Sequence, residues 1–194
     1  MNVIELKNVT YTRSGMKHPL QDIQLTVKQG EIVHLRSEIG AGKSTLVDFI
    51  LGLREPDSGE VKVFGSHTNE LKSRFLTGVV PQKLRSPIKN AQLGMLIDLI
   101  ESHYPGAQGR VTSLLKDFDF NPSRDKKELA GGEERLFFIA LAQAGSPKLL
   151  ILDEPTTFLD TEGDILLHRI KDYGVGFQIS RLGFSGFSLA GFRL

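Results

Sequence analysis

The stretch that most constrains this chain is residues 31–52, where a short apolar strand breaks into a glycine-containing turn and reopens as a helix. Gly40 and Gly42 lie in the turn, and Lys43 and Ser44 begin the helix. Without side chains in the way, consecutive backbone N–H groups can curl around phosphate oxygens, and the helix N-terminus adds positive partial charge. The lysine can reach terminal phosphates, and the serine hydroxyl can join a Mg²⁺ shell. The stretch therefore predicts a phosphate-binding loop, with an ordinary strand-to-helix turn as the alternative.

The turn matches the phosphate-loop pattern G-x-x-x-x-G-K-[ST] imperfectly. Ser37 adds a side chain where the first glycine belongs, so we expect a reduced affinity for the phosphates. The residues of this segment assigned to nucleotide contact are Ser37, Glu38, Ile39, Gly40, Ala41, Gly42, Lys43, Ser44 and Thr45.

Composition places the chain among ordinary globular proteins. Its 194 residues are 40% hydrophobic and 24% charged, with a formal net charge of +1, which predicts a single folding unit over residues 1–194. A strongly basic balance or a long Lys/Arg run would indicate nucleic acid, and the sequence has neither, so no nucleic-acid partner is expected. The absence of cysteine excludes disulfides and cysteine-ligated metal centres.

The sequence also predicts a cytosolic location. The first residues carry neither a basic start nor a sustained apolar segment, so no secretory signal is expected. The longest apolar run, 136–142, is far shorter than the ~20 residues of a membrane-spanning helix. Membrane association would therefore depend on a partner.

Hydrophobic periodicity predicts an α/β architecture. Alternation at 3–6, 9–11 and 23–27 indicates a small, mostly antiparallel N-terminal sheet. The elements expected next are a helix at 43–51 and strands at 60–64 and 77–80.

From Asn90 onward the apolar residues recur with helical spacing, which predicts a helical insertion over about 83–129. The unbroken apolar run 149–152 predicts a buried strand. The other elements expected in this half are helices opening at 129–132 and spanning 164–173, and a strand at 175–179.

The tail, 181–194, contains no acidic residue and reuses Gly, Phe and Ser, so it predicts neither a helix nor a strand. It is interpreted either as an irregular segment covering the sheet edge or as a replacement for a lost native C-terminus. The sequence leaves both interpretations open.

Two carboxylates, Asp153 and Glu154, follow the buried run 149–152. The carboxyl ends of parallel strands are where α/β proteins bind their ligands. We therefore expect Asp153 to hold Mg²⁺, directly or through water, and Glu154 to orient and deprotonate an attacking water. An acidic turn after a buried strand is the alternative, and the phosphate loop upstream at α/β spacing makes it the weaker one.

From Val3 to about Ile179, the chain resembles the nucleotide-binding subunits of ATP-binding-cassette (ABC) proteins. The segments that carry the resemblance, in the family's order, are the phosphate loop 37–45, a Q-loop-like segment at 79–82, Leu-Ala-Gly-Gly-Glu at 129–133, the strand and acids at 149–154, and Asp160 at the D-loop position. The segment 129–133 is the one most specific to this family, because it is similar to the family signature L-S-G-G-Q, whereas phosphate loops occur in many NTPases.

The resemblance implies a P-loop NTPase core with a parallel sheet, an N-terminal antiparallel β-subdomain and an inserted α-helical subdomain. The core would comprise about 1–82 and 130–180, with the insertion at about 83–129 and the atypical tail at 181–194.

In this family two copies sandwich two ATP molecules head to tail, which implies a homodimer or pseudo-symmetric dimer in the ATP state. The signature helix of one copy would face the γ-phosphate bound by Lys43 of the other. Gln82 would sense Mg²⁺ or the attacking water and signal to the helical insertion, although a polar residue ending a strand is the plain alternative. The residues implied to contact nucleotide from these other motifs are Ala130, Gly131, Gly132, Glu133 and Asp160.

The resemblance also implies roles for individual side chains. The implied catalytic residues are Lys43, Gln82, Glu154 and Arg181, and the implied metal ligands are Ser44, Gln82 and Asp153. The family's adenine-stacking aromatic position falls at Arg13, whose guanidinium plane can stack, while Tyr11 is interpreted as sheet core.

Two departures from the family bear on turnover. Ala130 lacks the signature hydroxyl that would bond the γ-phosphate, and Ser180 and Arg181 stand where the family has a switch histidine. Loss of one prepositioned donor typically costs ~10²–10³ in turnover, so slow hydrolysis is expected. Arg181 is the candidate substitute donor.

The resemblance implies the ATP-binding and hydrolysing subunit of an ABC transporter, using ATP and Mg²⁺ and held at the cytoplasmic face by a transmembrane permease. Glu154 favours this reading. The missing histidine and Ala130 favour an alternative, a weakly hydrolysing regulator that dimerises with ATP. A cassette ATPase without a membrane partner is also open, and the chain predicts neither cargo nor direction of transport.

Overall fold

The computed structural model describes residues 1–13, 19–36, 40–68, 70–81, 91–116, 118, 120–129, 131–153, 176–179 and 188–192. Its strands, in chain order, are β1 (Asn2–Tyr11), β2 (Leu20–Lys28), β3 (Ile32–Arg36), β4 (Ser58–Val63), β5 (Ser66–His67), β6 (Thr77–Val80), β7 (Leu149–Asp153), β8 (Gly176–Ile179) and β9 (Ser188–Phe192). Its helices are α1 (Lys43–Ile50), α2 (Leu71–Phe75), α3 (Leu93–Glu101), α4 (Arg110–Leu115) and α5 (Gly131–Ala142), with a 3₁₀ turn at Lys126–Glu128.

The predicted N-terminal antiparallel sheet is present, with the strand order β2-β1-β4-β5. The two short strands expected at 3–6 and 9–11 are one strand, β1, interrupted by a register shift between Leu6 and Val9. Asn8 lies in this interruption with φ of 51°, a conformation that asparagine tolerates. Gly59 of β4 lies opposite, where an added Cβ would approach the Asn8 carbonyl oxygen to 2.5 Å. Close contact at the irregularity therefore requires glycine.

A second, five-stranded sheet has the order β6-β7-β8-β3-β9. The pairs β6–β7, β7–β8 and β8–β3 are parallel, so these strands end at the same edge. Strand β6 matches the expected range 77–80, and the expected strands at 149–152 and 175–179 correspond to β7 and β8. The predicted parallel sheet is thus confirmed.

The sequence analysis was wrong about part of the tail. Residues 188–192 form β9, which pairs antiparallel with β3 from Ser188 opposite Arg36 to Phe192 opposite Ile32. Backbone pairing with an exposed edge supplies hydrogen bonds to a strand that has no alternating or β-branched pattern of its own, and such tertiary pairing overrides local propensity. The tail does cover the sheet edge, but as a strand.

Helix α1 packs into a core shared by both sheets. Its side chains Leu46, Phe49 and Ile50 are at most 3% exposed and cluster with apolar residues of β1, β2, β3, β4 and β7. The helix ends at Ile50, one residue before the expected end, and β4 begins at Ser58, two residues before the expected start. Anchoring of α1 in this core fixes the position of its N-terminus.

The helical insertion forms a core of its own and shares α5 with the parallel sheet. Apolar residues of α3 and α4 cluster with Phe137 and Ala140 of α5. On its other side, α5 places Leu136 and Ile139 against residues of β6 and β7. Helix α5 therefore joins the insertion to the sheet. The helix expected at 164–173 lies outside the described residues.

One buried carboxylate organises the insertion. Glu101, at the end of α3, is 5% exposed. Its carboxylate oxygens accept hydrogen bonds from the backbone N–H groups of Gly109, at 2.7 Å, and Val111, at 2.8 Å. These donors belong to the first turn of α4, which the helix itself cannot satisfy. Glu101 therefore caps α4 from the neighbouring helix.

We predict that Glu101→Ala lowers the free energy of unfolding by about 1–3 kcal/mol, because it leaves the buried Val111 N–H without an acceptor and removes the acceptor of the Gly109 N–H. Urea denaturation monitored by circular dichroism measures this difference. Asp98→Ala is the control, since Asp98 is an exposed acid on the same helix, and its effect should stay within ~0.5 kcal/mol. Equal effects of the two substitutions would contradict the capping role.

Candidate functional site

Two glycines in the turn that leads into α1 adopt a backbone conformation that other residues disfavour. Gly40 and Gly42 adopt φ of 87° and 94°, in the left-handed region that favours glycine. Gly42 is the N-cap residue of α1 and packs closely on Leu20, since an added Cβ would lie 2.8 Å from Leu20 Cδ2. A side chain at Gly42 would therefore strain the backbone and collide with β2.

The first turn of α1 presents its N–H groups at the helix end. The first hydrogen bond of the helix runs from the Leu46 N–H to the Gly42 carbonyl, at 2.9 Å. The preceding N–H groups, at 43–45, have no intrahelical acceptor, and α1 has no acidic residue in its first turn. This end of the helix can therefore accept an anion.

The side chains around this helix end differ in exposure. Lys43 is 8% exposed and Ala41 is also 8% exposed, so both are held against the protein. Ser44 is exposed and Thr45 is half-buried. The lysine is thus restrained at the start of the helix, and the serine at the next position is open to solvent.

Asp153 lies at the same edge of the sheet as the turn. It is the last residue of β7 and pairs with Ile179 of β8, which in turn pairs with Leu35 of β3. Neighbouring strands are about 4.8 Å apart, so the backbones of β3 and β7 are roughly 10 Å apart at this row. The Asp153 side chain is half-buried. A carboxylate and a phosphate loop thus share one edge.

The residues at this edge fit a nucleotide triphosphate with magnesium. Backbone N–H groups and the Lys43 ammonium suit phosphate oxygens, while the Ser44 hydroxyl and the Asp153 carboxylate are the hard oxygen donors that Mg²⁺ prefers. Within the described part of the chain, no group of three or more His, Asp or Glu side chains could hold a metal alone.

Helix α5 begins near this edge with Gly131, which is exposed, and Gly132, which is half-buried. Glu133 follows, and its carboxylate accepts two hydrogen bonds from the Arg124 guanidinium, at 2.8 and 3.2 Å. The same guanidinium donates to the Glu128 carbonyl at 2.7 Å. Arg124 thus holds the segment before α5 against the first turn of the helix and pairs with the Glu133 carboxylate.

Arg135, a residue that the sequence analysis did not single out, links α5 to the sheet edge. Its guanidinium donates to the Pro81 carbonyl at 2.8 Å and to the Asp153 carbonyl. The residue is 3% exposed. The sequence does place this arginine on an otherwise apolar helix face, which indicates a buried polar contact. Its acceptors could not be predicted, because they are backbone carbonyls.

Tyr11, the last residue of β1, packs against the core, as predicted. The Tyr11 ring packs edge-to-face on Phe49, with centroids 5.3 Å apart, and its hydroxyl accepts a hydrogen bond from Arg54 at 2.8 Å. This hydrogen bond raises the pKa of the Arg54 guanidinium, so that side chain stays charged. The interpretation of Tyr11 as sheet core is confirmed. Arg13 is exposed beyond the strand, and its adenine-stacking role stays a prediction.

Several predicted site residues lie outside the described residues. These are Ser37, Glu38, Ile39, Gln82, Ala130, Glu154, Asp160 and Arg181. Two of them directly follow described positions that Arg135 contacts: Gln82 follows Pro81, and Glu154 follows Asp153. Their roles stay predictions from the sequence.

None of the helices in the described ranges is both long and apolar enough to cross a bilayer.

Comparison with known proteins agrees with this geometry. A family model described as ABC transporter matches residues 20–157, which is more than half of the chain. Over 201 aligned residues, the chain is 30% identical to the phosphonates import ATP-binding protein PhnC of Treponema denticola, covering 93% of this chain and 78% of that protein.

Solved structures give the same result for the fold. A structure described as the ATP binding subunit of an ABC transporter has a TM-score of 0.78 and 25% identity, and the match covers 92% of this chain and 79% of that one. A dimeric ATP-binding cassette in a post-hydrolysis state, bound to ADP and Pi, has a TM-score of 0.72 and 24% identity, with 94% of each chain covered. The predicted α/β P-loop NTPase fold is confirmed, and the chain belongs to the ABC transporter family.

Proposed function

We propose that this chain binds and hydrolyses ATP as the nucleotide-binding subunit of an ABC transporter. The observation that carries the proposal is the shared sheet edge. Strand β3 leads into the helix start at Gly42 and Lys43, strand β7 ends in Asp153, and the two strands run parallel in one sheet. ATP is the substrate that suits both a phosphate cradle and a magnesium ligand at this separation.

In this proposal each residue acts on a different part of the reaction. The N–H groups at 43–45 and the Lys43 ammonium hold the β- and γ-phosphates and offset their negative charge. Ser44 and Asp153 would hold Mg²⁺, with Gln82 as a further ligand; the ion supplies charge neutralisation at the phosphates. Glu154 accepts a proton from the water whose oxygen bonds to the γ-phosphorus as the bond to ADP breaks.

The proposed working unit is a dimer. The signature residues 130–133 of one copy would complete the nucleotide site formed by Lys43 of the other, with Asp160 at the same interface. The exposure of Gly131 at the start of α5 supports this role, because it leaves the helix end accessible. A protein of similar fold, an ATP-binding cassette bound to ADP and Pi, is described as dimeric, which supports a dimer as the working unit.

The proposed partner is a transmembrane permease, which would hold this subunit at the cytoplasmic face of the membrane. The helical insertion, 83–129, is the expected docking element. The relative from Treponema denticola is named as part of an import system for phosphonates, which supports a transport role. Cargo would be chosen by the permease.

A second candidate is a regulator that dimerises with ATP and scarcely hydrolyses it. Two residues favour it: Ala130 lacks a hydroxyl, and Arg181 replaces the family's histidine. Steady-state hydrolysis by the purified chain separates this candidate from the transporter subunit. Co-purification with a hydrophobic membrane subunit separates the transporter from a cassette ATPase that works without one.

We predict that Lys43→Met reduces ATP turnover by at least ~100-fold, because it removes a prepositioned cation from the developing phosphate charge. Phosphate release and binding of a fluorescent ATP analogue, both with Mg²⁺, measure the effect. Lys28→Met is the control, since Lys28 is an exposed lysine at the end of β2. Wild-type binding and turnover in a folded Lys43→Met protein would contradict the proposed site.

Replacement of Glu154 by Gln is expected to stop hydrolysis while ATP binding persists, since the amide keeps the shape but cannot accept the proton. Light scattering after size exclusion should then show an ATP-dependent dimer. A monomer at saturating ATP and Mg²⁺ would count against the head-to-tail arrangement.

Arg181→His is expected to raise the hydrolysis rate by up to ~10²-fold, because it restores a donor near the γ-phosphate. Steady-state phosphate release at saturating ATP tests this. Arg181→Gln is the matched control, and it should not raise the rate. An unchanged rate in a well-folded Arg181→His dimer would remove the switch position from the assignment.

A further inference from the structure

The Arg135 side chain spans the ends of two adjacent parallel strands. Its guanidinium donates to the carbonyl of Pro81, directly after β6, and to the carbonyl of Asp153, the last residue of β7. Strands β6 and β7 are neighbours, paired from Thr77–Leu149 to Val80–Leu152. One planar group on α5 is therefore bonded to both strand ends just where the parallel ladder stops.

This arrangement restricts the strand ends more than packing alone does. Guanidinium donors have a fixed planar geometry, so two hydrogen bonds from one group fix the separation of their acceptors. Arg135 is 3% exposed, so little water is available to replace these bonds. The neighbouring side chains Leu136 and Ile139 already bury α5 against the sheet. The guanidinium contacts thus orient the strand ends in addition to the apolar packing.

We propose that Arg135 is a positioning residue for magnesium binding, which sets the Asp153 carboxylate in place from α5 through its hydrogen bonds to the Asp153 and Pro81 carbonyls. This inference rests on the proposed function, because Mg²⁺ and its ligand Asp153 belong to that proposal. Arg135 donates to backbone carbonyls at both strand ends, so it would act on the ion through the backbone of the proposed ligand. Helix α5 begins at Gly131, four residues before Arg135, so the same hydrogen bonds connect the start of this helix to the proposed metal ligand Asp153.

The test compares metal binding in three variants of the full chain. Mn²⁺ replaces Mg²⁺ as the probe, and its affinity is measured by electron paramagnetic resonance with a saturating non-hydrolysable ATP analogue. Mutation of a residue that hydrogen-bonds to a metal ligand typically lowers metal affinity by ~10–100-fold, so a loss of Mn²⁺ affinity in that range is expected for Arg135→Met. Affinity for the analogue without metal should change by less than ~2-fold, because the phosphate cradle is not touched.

Arg110→Met is the matched control. The Arg110 guanidinium also donates to two carbonyls, those of Ala144 just after α5, at 2.6 Å, and Gly106 within the insertion, at 3.3 Å, and neither residue ends a strand. It should leave Mn²⁺ affinity unchanged while lowering the thermal midpoint of unfolding. If Arg135 were only structural, Arg135→Met would behave in the same way, and that result would overturn the proposal.

If Arg135→Met does not fold, Arg135→Lys tests the positioning role instead. Lysine keeps the positive charge but cannot present two parallel donors to separate carbonyls, so an intermediate loss of Mn²⁺ affinity is expected. Wild-type Mn²⁺ affinity in a folded Arg135→Lys protein overturns the positioning role and leaves the proposed function intact. Failure of the wild-type chain to bind the analogue with Mn²⁺ overturns both.

Discussion

Parallel pairing of β3, β8, β7 and β6 is the constraint on which the rest of the molecule depends. Because the pairing is in register, Leu35, Ile179 and Asp153 lie in one row, and the segments after these strands leave from one edge. A one-residue slip would turn each side chain to the opposite face of the sheet. The glycine turn before α1 and the Asp153 carboxylate lie at one edge because the strands run parallel, and the register sets the face to which Asp153 points.

Helix α5 connects this edge to the helical insertion by two different kinds of contact. Leu136 and Ile139 face β6 and β7, while Phe137 and Ala140 face α3 and α4. Apolar contacts of this kind are non-directional and allow small sliding movements. The hydrogen bonds of Arg135 are directional, so they define where the helix stands relative to the strand ends.

Hydrophobic pattern and turn chemistry were sufficient to predict most of the framework. Strands β6 and β7 and helices α1, α3 and α5 follow from period-2 runs, helical spacing and glycine positions, which are local signals. Strand β9 could not be predicted, because it exists through its pairing with β3. The Arg135 contacts were missed for a related reason: their acceptors are carbonyls 54 and 18 residues away, and every residue type has a carbonyl.

The departures from the family pattern act unequally on binding and turnover. Phosphate binding at α1 relies on backbone N–H groups, which the Gly42 conformation orients and which Ser37 and Ala130 do not remove. Turnover in the proposed function relies on side chains that meet charge as it develops, and there Ala130 and Arg181 each replace a donor. Because a donor aimed at the transition state affects the rate far more than ground-state affinity, these substitutions should slow hydrolysis more than they weaken ATP binding. In the proposed function, a long-lived ATP-bound dimer would be the physical consequence, both for a transporter subunit and for a regulator.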